Sequence, residues 1–192
     1  SIQGDPNRKL STRPQMEKDE WQKFCEKISE LGKYLEDEGM PLAYHHHMGT
    51  VIETQKDTER LIENTHESVK LTLDTGHMLF AKGDSKSILQ NYYERILHVH
   101  CKDIRKQVLE KSLKEDLSFR GAFLEGAFTV PGDGCIDYQP LFNVLKNNNY
   151  SGWLVVEAEQ DPAKANPLEY AKIGYNYLTD TLKKSEIEIY KN

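Results

Sequence analysis

Imidazole and carboxylate groups crowd into four short stretches of this chain, as His45 with His47, Asp74 with His77, His98 with His100, and Glu157 with Glu159. Each pair falls at or just beyond the carboxyl end of a run of strand-forming residues. Nitrogen and oxygen donors of this kind suit Mn²⁺, Co²⁺, Fe²⁺ or Zn²⁺, and the lack of any paired thiolates argues against a structural zinc. Plainer uses exist for each residue alone. An aspartate directly after a strand, such as Asp74, is often a helix cap or turn former. Only one of His98 and His100 needs to face a site, and His98 is read as structural. Strict alternation turns His46 away from His45 and His47. Glu159, past its strand, is read as solvated or as a supporting partner. Capping alone does not explain acid or imidazole groups at four successive strand ends, so a divalent catalytic metal is expected.

The elements that must carry these groups alternate. Trp21, Phe24, Ile28, Leu31 and Leu35 recur at spacings of three and four and predict a helix over Glu20 to Glu38, stopped by Gly39 and Pro41. Pro41 to His47 reads as a strand. Thr54 with Asp57 resembles a capping box opening a helix to about His66. Val69 to Leu73 is a strand, Ser85 to Arg95 a helix, Ile96 to Cys101 a strand, Asp137 to Asn147 a helix and Trp153 to Glu157 a strand. Asn166 and Pro167 open a last helix. Strand and helix alternating in this way predict an α/β fold, with parallel pairing and right-handed crossovers. Polar groups at strand ends fit both a barrel and an open doubly wound sheet. No glycine-rich phosphate turn follows any strand, which favours the barrel. Ile2 to Gly4 is read as the end of a fifth strand. A closed barrel needs eight strands and about 250 residues, so the chain is expected to be one domain over 1–192, the C-terminal portion of a (β/α)₈ barrel with outer helices and without its first strands. The segment Asp103 to Gly134 is too long for an ordinary connection, and with Phe119, Phe123 and Phe128 it is read as a lid over the mouth.

Composition narrows the classes. In 192 residues, 38% are hydrophobic and 29% charged, and the net charge is −6. That balance speaks against nucleic acid as a partner, which requires clustered Lys and Arg. No apolar run approaches the roughly 18 to 20 residues of a membrane span, and Ser1 to Pro14 lack the organisation of a signal peptide. The three cysteines, Cys25, Cys101 and Cys135, lie far apart and fit reduced thiols. A cytoplasmic location follows as the expectation, with homo-oligomerisation open.

Taken together, Tyr44-His45-His46-His47-Met48-Gly49-Thr50, Leu73-Asp74-Thr75-Gly76-His77, His98-Val99-His100-Cys101-Lys102-Asp103, Pro131-Gly132-Asp133-Gly134 and Trp153-Leu154-Val155-Val156-Glu157 resemble the xylose-isomerase-like TIM-barrel superfamily, and within it the inosose dehydratase family. The resemblance covers essentially the whole chain. It places metal ligands on Asp74, His100 and Glu157. Where the superfamily commonly has a further glutamate this chain has histidines, so the fourth ligand is His45, His47 or water. The resemblance also implies Mn²⁺ or Co²⁺ and a small cyclic keto-polyol, 2-keto-myo-inositol, that loses water to give a dione. Glu157 or His77 would act on the α-proton, and Lys102, Arg105 and His47 would address substrate oxygens. The rival readings are a sugar isomerase or epimerase, which returns the proton instead of expelling hydroxide, and a non-catalytic metal-binding fragment.

Overall fold

The computed structural model describes residues 1–190. In chain order the elements are α1 (Lys18–Asp37), β1 (Leu42–His45), α2 (Gln55–Asn64), β2 (Val69–Asp74), α3 (Thr75–Phe80), α4 (Ser85–Tyr92), β3 (Ile96–Cys101), β4 (Asp103–Ile104), α5 (Lys106–Lys114), α6 (Phe119–Leu124), β5 (Phe128–Thr129), α7 (Gln139–Asn147), β6 (Leu154–Val156) and α8 (Pro167–Lys184). Strands β1, β2, β3 and β6 form one parallel sheet in that order. All four carboxyl ends therefore point the same way. The register sets Asp74 opposite His100 and His100 opposite Val155, which levels the chemically rich ends along one edge.

The local chemistry expected at the helix ends is present. Thr54 and Asp57 cap α2 reciprocally, and Asn166 accepts from the Leu168 and Glu169 amides at the start of α8. Helix α1 opens on a Glu17/Glu20 capping box. Its buried face is Trp21, Cys25, Ile28 and Gly32, and Leu31, placed on the inner stripe by spacing, is half exposed. Gly32 explains the offset. A Cβ there would lie 2.9 Å from Ser68 Oγ and 3.0 Å from Val69 Cγ2, so the helix approaches β2 along its smallest residue.

Alternate residues of β2 and β3, Leu71, Leu73, Val99 and Cys101, enter one apolar cluster with Ile88 and Leu89 of α4, Phe142 and Leu145 of α7 and Leu178 and Leu182 of α8. Burying a side chain such as Phe142, 1% exposed, contributes roughly 2 to 3 kcal/mol. The helices thus anchor one face of the sheet, and the residues of the other parity, His45, Asp74 and His100, turn to the opposite face.

One expectation is corrected and another is given a definite structure. Ile2 to Gly4 is a turn rather than a strand, and the buried Ile2 donates its amide to Gly49 O at 2.9 Å. The sheet accordingly has four strands among the described residues. The segment from Asp103 to Gly134, expected to be a lid, has secondary structure and a core of its own. It folds as α5 and α6 between the two strands of an antiparallel β4–β5 pair, and Leu109, Phe119, Ala122, Ala127 and Phe128 bury with Leu10, Met48 and Phe80 in a second core. No described helix is long and apolar enough to cross a membrane.

Candidate metal centre

Asp74 ends β2 and is fully buried. Its Oδ1 accepts the His77 amide at 2.9 Å and so caps α3. The plainer reading of Asp74 as a cap is thus correct, and it leaves Oδ2 free for the site. That oxygen lies 3.2 Å from His45 Nε2, 3.6 Å from His100 Nδ1 and 3.4 Å from Lys102 Nζ. Glu157, one residue past β6, brings Oε2 to 3.9 Å from His100 Nδ1. One donor atom each from Asp74, His100 and Glu157 falls within 4.8 Å of the others. The buried Glu157 Oε2 is paired with the Lys102 ammonium, and His100 Nδ1 is buried yet makes no hydrogen bond. Buried polar atoms of that kind normally have a partner, and an imidazole nitrogen and carboxylate oxygens are ligands a divalent cation accepts. The donor set therefore fits a divalent metal.

A second group stands beside the first. Glu159 Oε1 lies 3.4 Å from His47 Nε2 and Glu159 Oε2 lies 3.3 Å from His77 Nε2. Lys102 joins the two groups. Its ammonium, buried with its whole side chain, sits 2.7 Å from Glu157 Oε2, 2.9 Å from Glu159 Oε2 and 2.8 Å from His77 Nε2. The Phe128 ring lies 5.1 Å below it.

Burial and charge act against each other here. Burial lowers the Lys102 pKa, but Asp74, Glu159 and Glu157 together raise it above the ordinary value. Burial likewise works to raise Asp74, and the His77, Lys102, His100 and His45 side chains around it hold it well below the usual carboxylate range. Glu157 is raised, chiefly by burial. Glu159, despite burial, is held far down by hydrogen bonds from His47 and His77 and by the Lys102 charge. His77 is pushed down to about 4, mainly by burial. These directions describe an ionised Asp74 and Glu159, a protonated Lys102 and a neutral His77 near neutral pH.

Supporting residues fix the strand ends. His46 is turned from the mouth and accepts the Asp74 amide on Nε2 at 3.1 Å. Tyr138, fully buried, bonds Thr75 Oγ1 at 2.8 Å and donates to Lys102 O at 2.9 Å, tying the ends of β2 and β3 together. Gly76 lets Lys102 cross α3, since a Cβ there would meet Lys102 Cγ at 2.6 Å.

A model described as xylose isomerase-like TIM barrel matches residues 5–181. The chain belongs to this family. It is 50% identical to an inosose dehydratase of Clostridium beijerinckii over 84% of this chain and 55% of that protein. It is 45% identical to an inosose dehydratase of Halalkalibacterium halodurans over 95% of this chain and 60% of that protein. The chain thus spans little more than half the length of the curated relatives it matches. In fold it is similar to the crystal structure of the IOLI protein with a bound zinc atom, at a TM-score of 0.67 and 21% identity over 91% of this chain and 60% of that one. The four parallel strands described above belong to this barrel family and are not closed on themselves among the described residues.

Of the residues singled out by sequence, the structure brings together Asp74, His100, Glu157, His45, His77, Lys102 and His47. Arg105 is not brought to the group. Its guanidinium donates to Gly126 O at 2.8 Å and pairs with Asp133 at 2.6 Å, bracing the turn after β5. His98 makes no ion pair with the group and lies with its ring 5.3 Å from that of His100. Glu159, read as solvated or as a supporting partner, is the second of these, held against His47, His77 and Lys102, and its signal in the sequence was its place two residues beyond Glu157 on the same parity. Gln3, whose amide contacts His47 Nδ1, and Tyr138 carried no such signal.

Proposed function

We propose that the protein is a metal-dependent hydro-lyase that removes water from 2-keto-myo-inositol to give a trihydroxycyclohexanedione in inositol catabolism. The observation that carries this reading is the convergence of Asp74, His100 and Glu157 from three neighbouring strand ends, with one buried ammonium between the carboxylates. The likeness to inosose dehydratases supports it. His45 completes the ligand set, because it reaches the same Asp74 oxygen as His100; His47 instead lies against Glu159. A divalent cation held by these residues, Mn²⁺ or Co²⁺ in this proposal, supplies Lewis acidity toward a carbonyl and an adjacent hydroxyl.

The chain's own groups move the protons. Glu157, 30% exposed at its side chain, can reach substrate, whereas His77 is fully enclosed. Glu157 takes the α-proton as base and delivers it to the departing β-hydroxyl, which leaves as water. Lys102, enclosed like His77, does not touch substrate, and its ammonium 2.7 Å from Glu157 Oε2 holds that carboxylate in place. His77 and Glu159 position Lys102 from the other side. His47 stands where it can meet a substrate hydroxyl, and Arg105 supports the wall through Asp133 instead of touching substrate. A soluble small-molecule enzyme of the cytoplasm is the setting this implies. Incubation of the metal-loaded full-length protein with 2-keto-myo-inositol should yield the dione, seen by its ultraviolet absorbance. Epimerised ketose without dione formation, or full activity after chelation, would remove the proposal.

A further inference from the structure

An opening of about 450 Å³ adjoins the metal centre without containing its ligands, lined by Gln3, Phe119, Arg120, Phe123, Glu159 and Gln160 among others. Its two sides differ in chemistry. One is the face of α6, where Phe119 and Phe123 stand one helical turn apart and so share one surface. Phe119 is pinned in the second core and its ring lies 5.3 Å from that of His47 and 6.2 Å from that of His77. Phe123 is only half-buried, so part of its ring is free. The other side is polar. Glu159 is shared with the Lys102 group, and the Gln160 amide is held on Thr129 Oγ1 at 3.2 Å, which fixes the chain beyond Glu159. Arg120, next to Phe119 on α6 itself, is exposed at the rim.

A wall with aromatic carbon on one side and carboxylate and amide groups on the other matches a specific shape of ligand. A six-membered carbocycle with mostly equatorial hydroxyls presents a flat C–H face that packs on an aromatic ring, while its hydroxyls radiate to polar neighbours. An open-chain polyol with the same number of carbons and hydroxyls has no fixed apolar face and must lose torsional freedom to form one. We infer that the Phe119–Phe123 face of α6, opposed by Glu159 and Gln160, is the subsite that selects a cyclic polyol over an open-chain one. The inference rests on the dehydratase reading for the identity of the reacting substrate, but not for the shape of the subsite.

The test separates the two. Binding of myo-inositol and of sorbitol, neither of which contains the ketone, is measured by calorimetry on the metal-loaded full-length protein, alongside turnover of 2-keto-myo-inositol. The native protein should bind the cyclic hexitol more tightly. Phe123→Ala should weaken that binding about tenfold, the size of one lost aromatic contact, and leave sorbitol binding and Mn²⁺ affinity unchanged. Phe123→Leu should restore part of the loss. Phe119→Leu, which keeps most of the buried volume, should move in the same direction as Phe123→Ala. Equal binding of the two hexitols by the native protein, or an unchanged cyclic affinity in Phe123→Ala, overturns the subsite. Cyclic preference without dione formation retains the subsite and removes the dehydratase reading. Dione formation without cyclic preference does the reverse.

Discussion

The two clusters at the sheet edge are built from the same residue types and are satisfied in different ways. Both trios, Asp74 with His100 and Glu157 and His47 with His77 and Glu159, bring donor atoms within 4.8 Å of one another. Each has one buried imidazole nitrogen without a hydrogen bond, His100 Nδ1 in the first and His77 Nδ1 in the second, but only His100 Nδ1 lies against the carboxylates of its own trio. Glu159, set between His47 and His77, has both oxygens engaged, and Oε2 also accepts from Lys102. A group that leaves donors unspent is suited to bind something further. A carboxylate whose two oxygens are already engaged is suited to hold its neighbours still. Composition does not separate these roles, and partner geometry does.

The largest expected effect breaks the first cluster. Asp74→Ala should abolish metal retention, read by elemental mass spectrometry, and lower kcat/KM by several kcal/mol, roughly a thousandfold or more. Asp74→Asn keeps an oxygen to cap α3, so a comparable loss of metal with a smaller loss of melting temperature would assign the effect to ligation and not to the cap. Breaking the second cluster should cost less. Glu159→Gln should reduce activity or metal affinity by about 10- to 100-fold. If Glu159→Gln instead lost metal as completely as Asp74→Ala, the division between ligating and positioning groups would fail.

Smaller changes sharpen the role of Lys102 as the link. Gly76→Ala introduces a Cβ 2.6 Å from Lys102 Cγ, and overpacking of that kind costs about 1 to 3 kcal/mol. Its activity should fall further than its thermal stability predicts, because the displaced group is the shared ammonium. Tyr138→Phe removes the hydroxyl joining Thr75 to Lys102 O. The expected loss is about 1 kcal/mol of unfolding free energy in denaturant titration, with metal affinity unchanged.

Much of the outline was legible from residue types. The four sheet strands and the helices between them follow from periodicity and caps, and the shared placement of Asp74, His100 and Glu157 follows from strand ends in a parallel sheet. Other features were not. Leu31 fits the helical stripe but faces outward, because Gly32 brings α1 onto β2 by its smallest residue. Arg105 has the charge to bind substrate oxygens, yet Asp133 and the Gly126 carbonyl claim it. Ile2 to Gly4 has the composition of a strand end but lies against Gly49 as a turn.

What the sequence by itself determined is the set of groups at the mouth, since a period of two and a common strand direction dictate which residues share a face and an edge. Only the tertiary structure decided how those groups divide. Lys102 sits between two clusters, Glu159 turns back into the site, and the segment from Asp103 to Gly134 is a packed wall whose α6 faces the opening. Those outcomes depend on contacts between residues tens of positions apart, where burial and charge pairing set the arrangement and local pattern carries no information about the partner.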